Sequence, residues 1–130
     1  MSYDKNNIFA KILRKEISCK KIFENEHVLS FHDVNPQKKI HALVIPKGEY
    51  VDLDDFNQRA SDHEIVALSK AITEVAKILG ISVDIGKGYR ALTNLSEHGG
   101  QEVPHLHFHL FGGEKVGKMV EWKKKFLESI

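Results

Sequence analysis

Three histidines alternate with apolar residues near the C-terminal end of the chain: His105, His107 and His109 are separated by Leu106 and Phe108. In an extended strand successive side chains point to opposite faces, so the pattern predicts three imidazoles on one face and apolar side chains on the other. Imidazole titrates near neutral pH and can act as a proton carrier, a nucleophile or a metal ligand. The segment therefore predicts a reactive face on a rigid element of the core.

Two other interpretations of these histidines stay open on the residues alone. The segment could be a half-buried strand whose polar face is rich in histidine, or it could bind zinc, since His-x-His on a strand offers two ligands. At about 3.3 Å per residue the first and third histidines lie roughly 13 Å apart, too far for one ion with bonds of about 2 Å. A zinc site would need a third ligand such as His41 and would leave one histidine unexplained.

The remaining elements predict an α+β fold. Apolar residues at helical spacing indicate a short helix over residues 8–13, and strands are predicted at 21–25, 27–32, 41–45, 89–93 and 103–111. Ser61 and Glu64 have the spacing of a capping box, and the apolar stripe after them predicts one long helix ending before Gly80. We expect a meander of about five antiparallel strands with this helix packed on it. The spacing of apolar residues in the tail, 114–130, predicts a C-terminal helix.

Composition limits the possible classes of protein. The 130 residues suffice for one domain, expected to span 1–130, and 42% hydrophobic with 28% charged residues is typical of a soluble globular chain. The formal net charge of +1 gives no reason to expect nucleic acid as a partner. No apolar stretch approaches the roughly 20 residues of a membrane span, so we expect no membrane association. The lone Cys19 cannot form an internal disulfide, which fits a cytoplasmic location.

Five segments together resemble the histidine-triad (HIT) family, in its order and at its spacing. They are residues 8–12 (Ile-Phe-Ala-Lys-Ile), 31–36 (Phe-His-Asp-Val-Asn-Pro), 41–47 (His-Ala-Leu-Val-Ile-Pro-Lys), 88–94 (Gly-Tyr-Arg through Asn) and 99–113, which contain the three histidines. The resemblance covers about residues 8–113 and is greatest to the nucleoside phosphoramidase branch, the histidine-triad nucleotide-binding proteins. It implies the same α+β fold and a homodimer.

The resemblance also implies roles for individual residues. His107 matches the nucleophile of the family, and His41, His105 and His109 would surround it as donors or proton carriers. Asp33 matches the residue that holds the ribose hydroxyls, although an Asp after a strand also commonly caps a turn. The other residues implied to bind the nucleotide are apolar walls around the base (Ile8, Phe9, Ile12, Phe31 and Val34) and a phosphate cradle (Asn94, Gly100, Gln101 and Glu102, with His107 and His109). Glu102 is a departure, because animal relatives carry Ser there.

The function implied is a purine nucleotide-binding hydrolase that cleaves nucleoside phosphoramidates, such as AMP joined to an amine, through a nucleotidyl-histidine intermediate. Its ligand would be a purine nucleoside monophosphate or phosphoramidate, and no metal or other cofactor is implied. Neutral imidazole is a nucleophile that splits one hard displacement into two easier ones. The alternatives are a nucleotide-binding regulatory protein with incidental turnover, and a zinc-binding module built on His41, His105 and His107.

Overall fold

Five antiparallel strands form one sheet in the computed structural model, which describes residues 2–120. In chain order the elements are α1 (Ile8–Leu13), β1 (Lys21–Glu24), β2 (Val28–His32), β3 (Ile40–Pro46), α2 (Leu53–Arg59), α3 (Asp62–Ile78), β4 (Arg90–Leu92), α4 (Ser96–Gly99) and β5 (Phe108–Gly112). The α+β class, the five strands and the long helix are therefore confirmed.

The order of the strands differs from a simple meander. The sheet runs β1-β2-β3-β5-β4, so the last strand inserts between β3 and β4. In the β3–β5 pair Leu43 lies opposite His109 and His41 lies opposite Phe111. Because residues two apart on a strand share a face, all four side chains point to the same side of the sheet. This pairing brings the histidine of β3 to the histidine of β5.

Helix α3 covers the opposite face of the sheet. Its capping box is present as predicted: the Ser61 side chain accepts from the Glu64 amide, and the Glu64 carboxylate accepts from the Ser61 amide. Gly80 follows the C-cap with a φ of +73°, in the left-handed region that favours glycine. The apolar residues that pack between the helix and the sheet include Leu68, Ala71, Val75, Val28, Ala42, Val44, Leu106 and Leu110. The alternation at 105–110 therefore places its apolar members in this core.

Helix α1 packs on the other face, where the histidines point. Asn7 caps it, since the side-chain oxygen of Asn7 accepts from the Ala10 amide at 2.9 Å. Phe9 and Ile12 from the helix form a second core cluster with Leu29, Phe31, Leu43 and Ile45 from the sheet. The short helix predicted from the sequence is thus confirmed, and its buried face supports the floor of the site.

Three predictions about the elements were wrong. The last strand starts at Phe108 and not at residue 103, because Pro104 has no backbone N–H for a ladder and residues 103–105 bend. Helix α2 was missed, since Phe56 is its one buried residue and leaves no periodic signal. Residues 116–120 are irregular, not helical, and Gly117 has a φ of +77° that breaks a right-handed helix. The rest of that predicted helix, 121–130, lies outside the described residues. Within residues 2–120 no helix is long and apolar enough to cross a membrane.

Candidate active site

The imidazole of His107 is fixed by its own chain. Its Nδ1 lies 2.7 Å from the carbonyl oxygen of His105, and a carbonyl can only accept, so Nδ1 carries the proton. In the neutral ring Nε2 therefore holds a free lone pair, and no described residue makes a hydrogen bond to it. The hydroxyl of Thr93 donates to the backbone oxygen of His107 at 2.7 Å and fixes the main chain as well. His107 is thus held as the tautomer that a nucleophile requires.

His41 and His109 form a hydrogen-bonded pair beside it. The backbone amide of Gln37 donates to Nδ1 of His41 at 3.1 Å, so a neutral His41 carries its proton on Nε2. That Nε2 lies 2.9 Å from Nδ1 of His109, to which it donates. The remaining ring nitrogen of a neutral His109, Nε2, then carries a proton. A carboxylate oxygen of Asp33 lies 3.4 Å from the same Nε2 of His41, which gives the pair an acidic neighbour.

His105 is separate from the other three histidines. Its side chain is completely buried, with Nε2 against the carbonyl oxygen of Pro46 at 2.9 Å and Nδ1 against the hydroxyl of Tyr3 at 2.6 Å. Both ring nitrogens are therefore occupied. The ring of His105 lies on the α1 side with that of His107, since Phe9 is edge-on to both, but it is completely buried and does not line the cavity beside His107.

Burial lowers the pKa of all four imidazoles, because a charged ring loses hydration in the interior. For His105 burial, aided by the neighbouring His107, brings the pKa to about 4 despite the hydrogen bond to Pro46. The pKa of His109 also falls to about 4, through burial and then through His107 and His41. Burial lowers the pKa of His107 and of His41, against the opposing charge of Asp33. All four rings are therefore neutral at pH 7.

A cavity of about 240 Å³ lies beside His107 and His109. The residues that line it are Phe9, Asp33, Leu43, Asn94, Gly100, Glu102, Val103, His107 and His109. Four of these are predicted site residues with polar side chains, which the structure brings to one place: Asp33, Asn94, Glu102 and His109 meet around His107. A second cavity of about 640 Å³, which includes Val34 and His41, shares Asp33 with the first. The Asp33 carboxylate therefore stands between the histidines and the adjoining space.

In the loop before the histidines, backbone amides donate to carbonyls of the same loop. The amides of Gly99, Gly100 and Gln101 donate to carbonyls of residues 95–97, and Gly100 has a φ of +76°. The side chain of Gln101 donates to the carbonyls of Val51 and Val103 and accepts from the amide of Ser96. These groups stabilise the loop, so the glycine amides and the Gln101 side chain would have to exchange these partners to contact a phosphate. Gly100 and Glu102 of the loop line the cavity together with Asn94.

The predicted apolar walls divide into two groups. Phe9, Ile12 and Phe31 are buried in the α1 core cluster, and Phe9 also lies edge-on to His107 with ring centroids 5.0 Å apart. Ile8 and Val34 are 45% and 93% exposed. An apolar side chain that contacts a base has to be accessible; Ile8 and Val34 meet this condition, whereas Ile12 and Phe31 are core residues.

One group of residues has the spacing of a metal site. Ligand atoms of Asp33, His41 and His109 all lie within 4.8 Å of one another. The zinc-binding set considered from the sequence, His41 with His105 and His107, is not brought together in this way, because both nitrogens of His105 are bonded elsewhere. Three residues that matter to the geometry were missed from the sequence. Gln37 acts through its backbone amide, the Thr93 hydroxyl contacts a residue 14 positions away, and Tyr3 is 102 positions from its partner.

Comparison with known proteins identifies the family to which a chain with this fold and this site belongs. The family model of the HIT domain matches residues 14–116. The chain therefore belongs to the histidine-triad family. It is 55% identical over 119 residues to an uncharacterised 13.2 kDa HIT-like protein of Azospirillum brasilense, with 92% of this chain and 95% of that protein covered.

Two further relatives are informative: one is an enzyme with a named activity, and the other has a solved structure. It is similar to the purine nucleoside phosphoramidase of Escherichia coli strain K12, at 40% identity over 119 residues, with 89% of this chain and 94% of that protein covered. A solved HIT family hydrolase from Clostridium thermocellum superposes with a TM-score of 0.80 at 36% identity, over 90% of this chain and 99% of the other.

Proposed function

We propose that this protein is a hydrolase that cleaves purine nucleoside phosphoramidates, AMP joined to an amine in particular, through a nucleotidyl intermediate on His107. The observation that carries the proposal is the free Nε2 lone pair of His107, held by the 2.7 Å contact of Nδ1 with the His105 carbonyl. The cavity in front of that atom supplies Asp33, Asn94 and His109 as polar partners for a nucleotide.

The reaction has two displacements at phosphorus. In the first, the lone pair on Nε2 of His107 forms a bond to phosphorus, and the P–N bond to the amine breaks with its electron pair on the amine nitrogen. The departing amine takes up one proton, which His109 relays from solvent: water protonates the ring, and donation from its Nε2–H returns the ring to the neutral form. In the second, water forms the new P–O bond, His107 leaves with its lone pair, and the proton released by water restores the balance. The products are the nucleoside monophosphate and the free amine.

The His41–His109 pair suits the transfer of this proton. Its two rings share a 2.9 Å hydrogen bond, and the Gln37 amide and the Asp33 carboxylate orient the outer ring. A neutral donor imidazole next to phosphate oxygens also stabilises the negative charge of the transition state. In this scheme His41 acts through His109, whereas His105 positions His107 through its backbone oxygen and does not contact the substrate.

Three observations support a nucleotide as the substrate. Asp33 lines both cavities, and its partly buried carboxylate can accept hydrogen bonds from the hydroxyls of a ribose. Exposed apolar side chains, Ile8 and Val34, are available for a base. The E. coli relative is a purine nucleoside phosphoramidase, an enzyme named for purine nucleosides and a phosphoramidate bond. A nucleotide-binding regulator would need this pocket, but it would not need a nucleophile held in one tautomer.

A substrate panel tests the proposal directly. Adenosine, guanosine and cytidine 5′-phosphoramidates are incubated with the protein, and release of each monophosphate is followed by chromatography. We expect turnover of both purine substrates, with the cytidine compound slower by at least about tenfold, or roughly 1.4 kcal/mol. Rapid quench and intact mass measurement should show an acid-labile adduct of one nucleotidyl group. Binding of AMP without turnover of any phosphoramidate would instead support the regulatory alternative.

We also propose that the protein is a cytoplasmic homodimer, as the family resemblance implies. Apolar side chains on and after α3 are exposed in the single chain, among them Val66, Ile78, Val83 and Ile85. Such residues are candidates for contact with a second copy. Light scattering coupled to gel filtration should give twice the chain mass of 14.8 kDa, whereas the single-chain mass at micromolar concentration would contradict the dimer.

A further inference from the structure

The N-terminal segment reaches the histidines through one side chain. The hydroxyl of Tyr3 lies 2.6 Å from Nδ1 of His105, and the two rings meet edge to face with centroids 5.6 Å apart. Tyr3 precedes the matched region of the HIT domain, which begins at residue 14. The contact therefore involves a part of the chain that lies outside the family model.

The direction of this hydrogen bond follows from the other side of the ring. Nε2 of His105 faces the carbonyl oxygen of Pro46 at 2.9 Å, and a carbonyl has no proton to give, so Nε2 must donate. In a neutral imidazole the second nitrogen is then unprotonated. The Tyr3 hydroxyl consequently donates to Nδ1, and the two contacts together fix the tautomer and the orientation of a ring that is completely buried.

His105 in turn positions the nucleophile through its main chain. Its carbonyl oxygen accepts from Nδ1 of His107 at 2.7 Å, so any rotation of the His105 peptide changes the tautomer and the direction of the His107 ring. We propose that Tyr3 is a positioning residue for His107: its hydroxyl fixes His105, and the His105 carbonyl fixes the nucleophilic ring. The kinetic consequence of this inference rests on the proposed function, but the structural consequence does not.

The segment that carries Tyr3 is itself anchored next to the site. The Asn7 side chain donates to the carbonyl of Asp4 at 2.7 Å and caps α1 through its oxygen. Two residues further on, Phe9 lies edge-on to both His107 and His105, with ring centroids 5.0 and 6.3 Å away. Residues 3–9 thus hold a hydroxyl and an aromatic ring against consecutive histidines of the triad.

Histidine ring NMR on the free protein tests the hydrogen-bond chain without any substrate. Nitrogen-15 spectra distinguish protonated from unprotonated ring nitrogens, and we expect His105 as the Nε2–H form and His107 as the Nδ1–H form at pH 7.5. Tyr3→Phe should move the Nδ1 resonance of His105 and give His107 a detectable fraction of the Nε2–H form. Identical His105 and His107 resonances in the two proteins would overturn the proposal.

Kinetics then test the positioning role. Tyr3→Phe removes one hydroxyl from a partly buried ring, and we expect kcat for adenosine phosphoramidate to fall about tenfold with KM within twofold, since the pocket for the nucleotide is intact. Tyr50→Phe is a matched control, because the Tyr50 hydroxyl donates to Glu64 at 2.7 Å and does not contact a histidine. A loss in kcat that is equal in both variants would show general destabilisation and overturn the assignment. If the wild type turns over no phosphoramidate, the proposed function fails, and the NMR result still decides the role of Tyr3.

Discussion

His41 and His109 lie diagonally across the β3–β5 pair, because Leu43, two residues after His41, is the cross-strand partner of His109. This register lets Nε2 of one ring reach Nδ1 of the other at 2.9 Å. A shift of either strand by one residue would turn one imidazole to the α3 face and end the contact. The register of the sheet therefore assembles the pair next to His107.

Replacement of the nucleophile should separate chemistry from binding. We expect His107→Ala to abolish turnover of adenosine phosphoramidate while the Kd for AMP stays within about tenfold, or roughly 1.4 kcal/mol. In the proposed mechanism Nε2 of His107 makes the covalent bond, whereas Asp33 and the apolar side chains are proposed to provide most of the affinity. Stopped turnover assays and calorimetry measure the two quantities, and His63→Ala, an exposed substitution on α3, is the control. More than a few per cent residual activity would contradict the covalent mechanism.

Residues 105–110 and the start of α3 show which features the sequence alone could predict. The alternation at 105–110 correctly placed Leu106 and Leu110 in the core, and the capping box correctly marked the start of α3. Both signals are local, with a fixed period or spacing. The His105 environment was not predictable in this way, since it depends on a bend at 103–105 and on a residue 102 positions away.

The loop before the histidines is a second feature that the sequence alone did not predict. Two glycines beside a triad suggest amides that point at a phosphate, but their amides close the turn around α4 in the structure. Which of two polar partners a backbone amide takes, a carbonyl of its own loop or a ligand, depends on the φ and ψ angles of several residues together. Composition does not fix those angles.

The pH dependence of turnover should reflect the lowered imidazole pKa values. The nucleophile acts as the unprotonated ring, and burial lowers the pKa of His107 below 6.5. We therefore expect the acid limb of the kcat/KM profile to have its midpoint below pH 6.5, where the coupled histidines take up protons. Initial rates from pH 4.5 to 8.5 in buffers of constant ionic strength provide the profile. An acid limb with its midpoint at or above pH 6.5 would contradict this expectation.

The free energy of unfolding should fall as the pH is lowered from 6.5 toward 4. A histidine with a lowered pKa in the folded state binds a proton more readily in the unfolded chain. Its full contribution to the free energy of unfolding is therefore present above the unfolded pKa of 6.5. That contribution is lost as the pH falls toward the folded pKa. For His105 and His109 the folded value is about 4. Each contributes a slope of up to about 1.4 kcal/mol per pH unit between these limits.

Urea unfolding at pH 7.5, 6.5, 5.5 and 4.5 measures that slope. We expect His109→Asn to reduce the dependence on pH, because one of the four histidines with a lowered pKa is then missing. His63→Asn, in an exposed position on α3, should leave it unchanged. Equal slopes in the wild type and His109→Asn would show that the protonation of His109 is not linked to unfolding.

Removal of metal ions should leave folding and turnover intact. The Asp33, His41 and His109 group has the spacing of a metal site, but His41 accepts from the Gln37 amide on one nitrogen and donates to His109 from the other. A metal ion would have to break one of these hydrogen bonds. Activity and thermal midpoint are compared before and after dialysis against a chelator. Activity that is lost on dialysis and restored by zinc would support the zinc-binding alternative instead.

Glu102 should favour amines that carry a positive charge. Its carboxyl group is part of a residue that lines the same cavity as His107, at the position where animal relatives carry Ser. Glu102 is exposed, and an opposite charge about 4 Å away is worth about 1 kcal/mol where the pair is open to water. We therefore expect a lysine-type amine conjugate of AMP to be cleaved with a higher kcat/KM than a neutral conjugate of equal size. Glu102→Ser should narrow this preference several-fold, with the loss falling on the cationic substrate.

Glu97→Ser is the matched control, because Glu97 lies exposed on α4 and does not line the cavity. The two kcat/KM values are measured in all three proteins, and an unchanged ratio in Glu102→Ser would exclude a role of this carboxylate in selecting the leaving group.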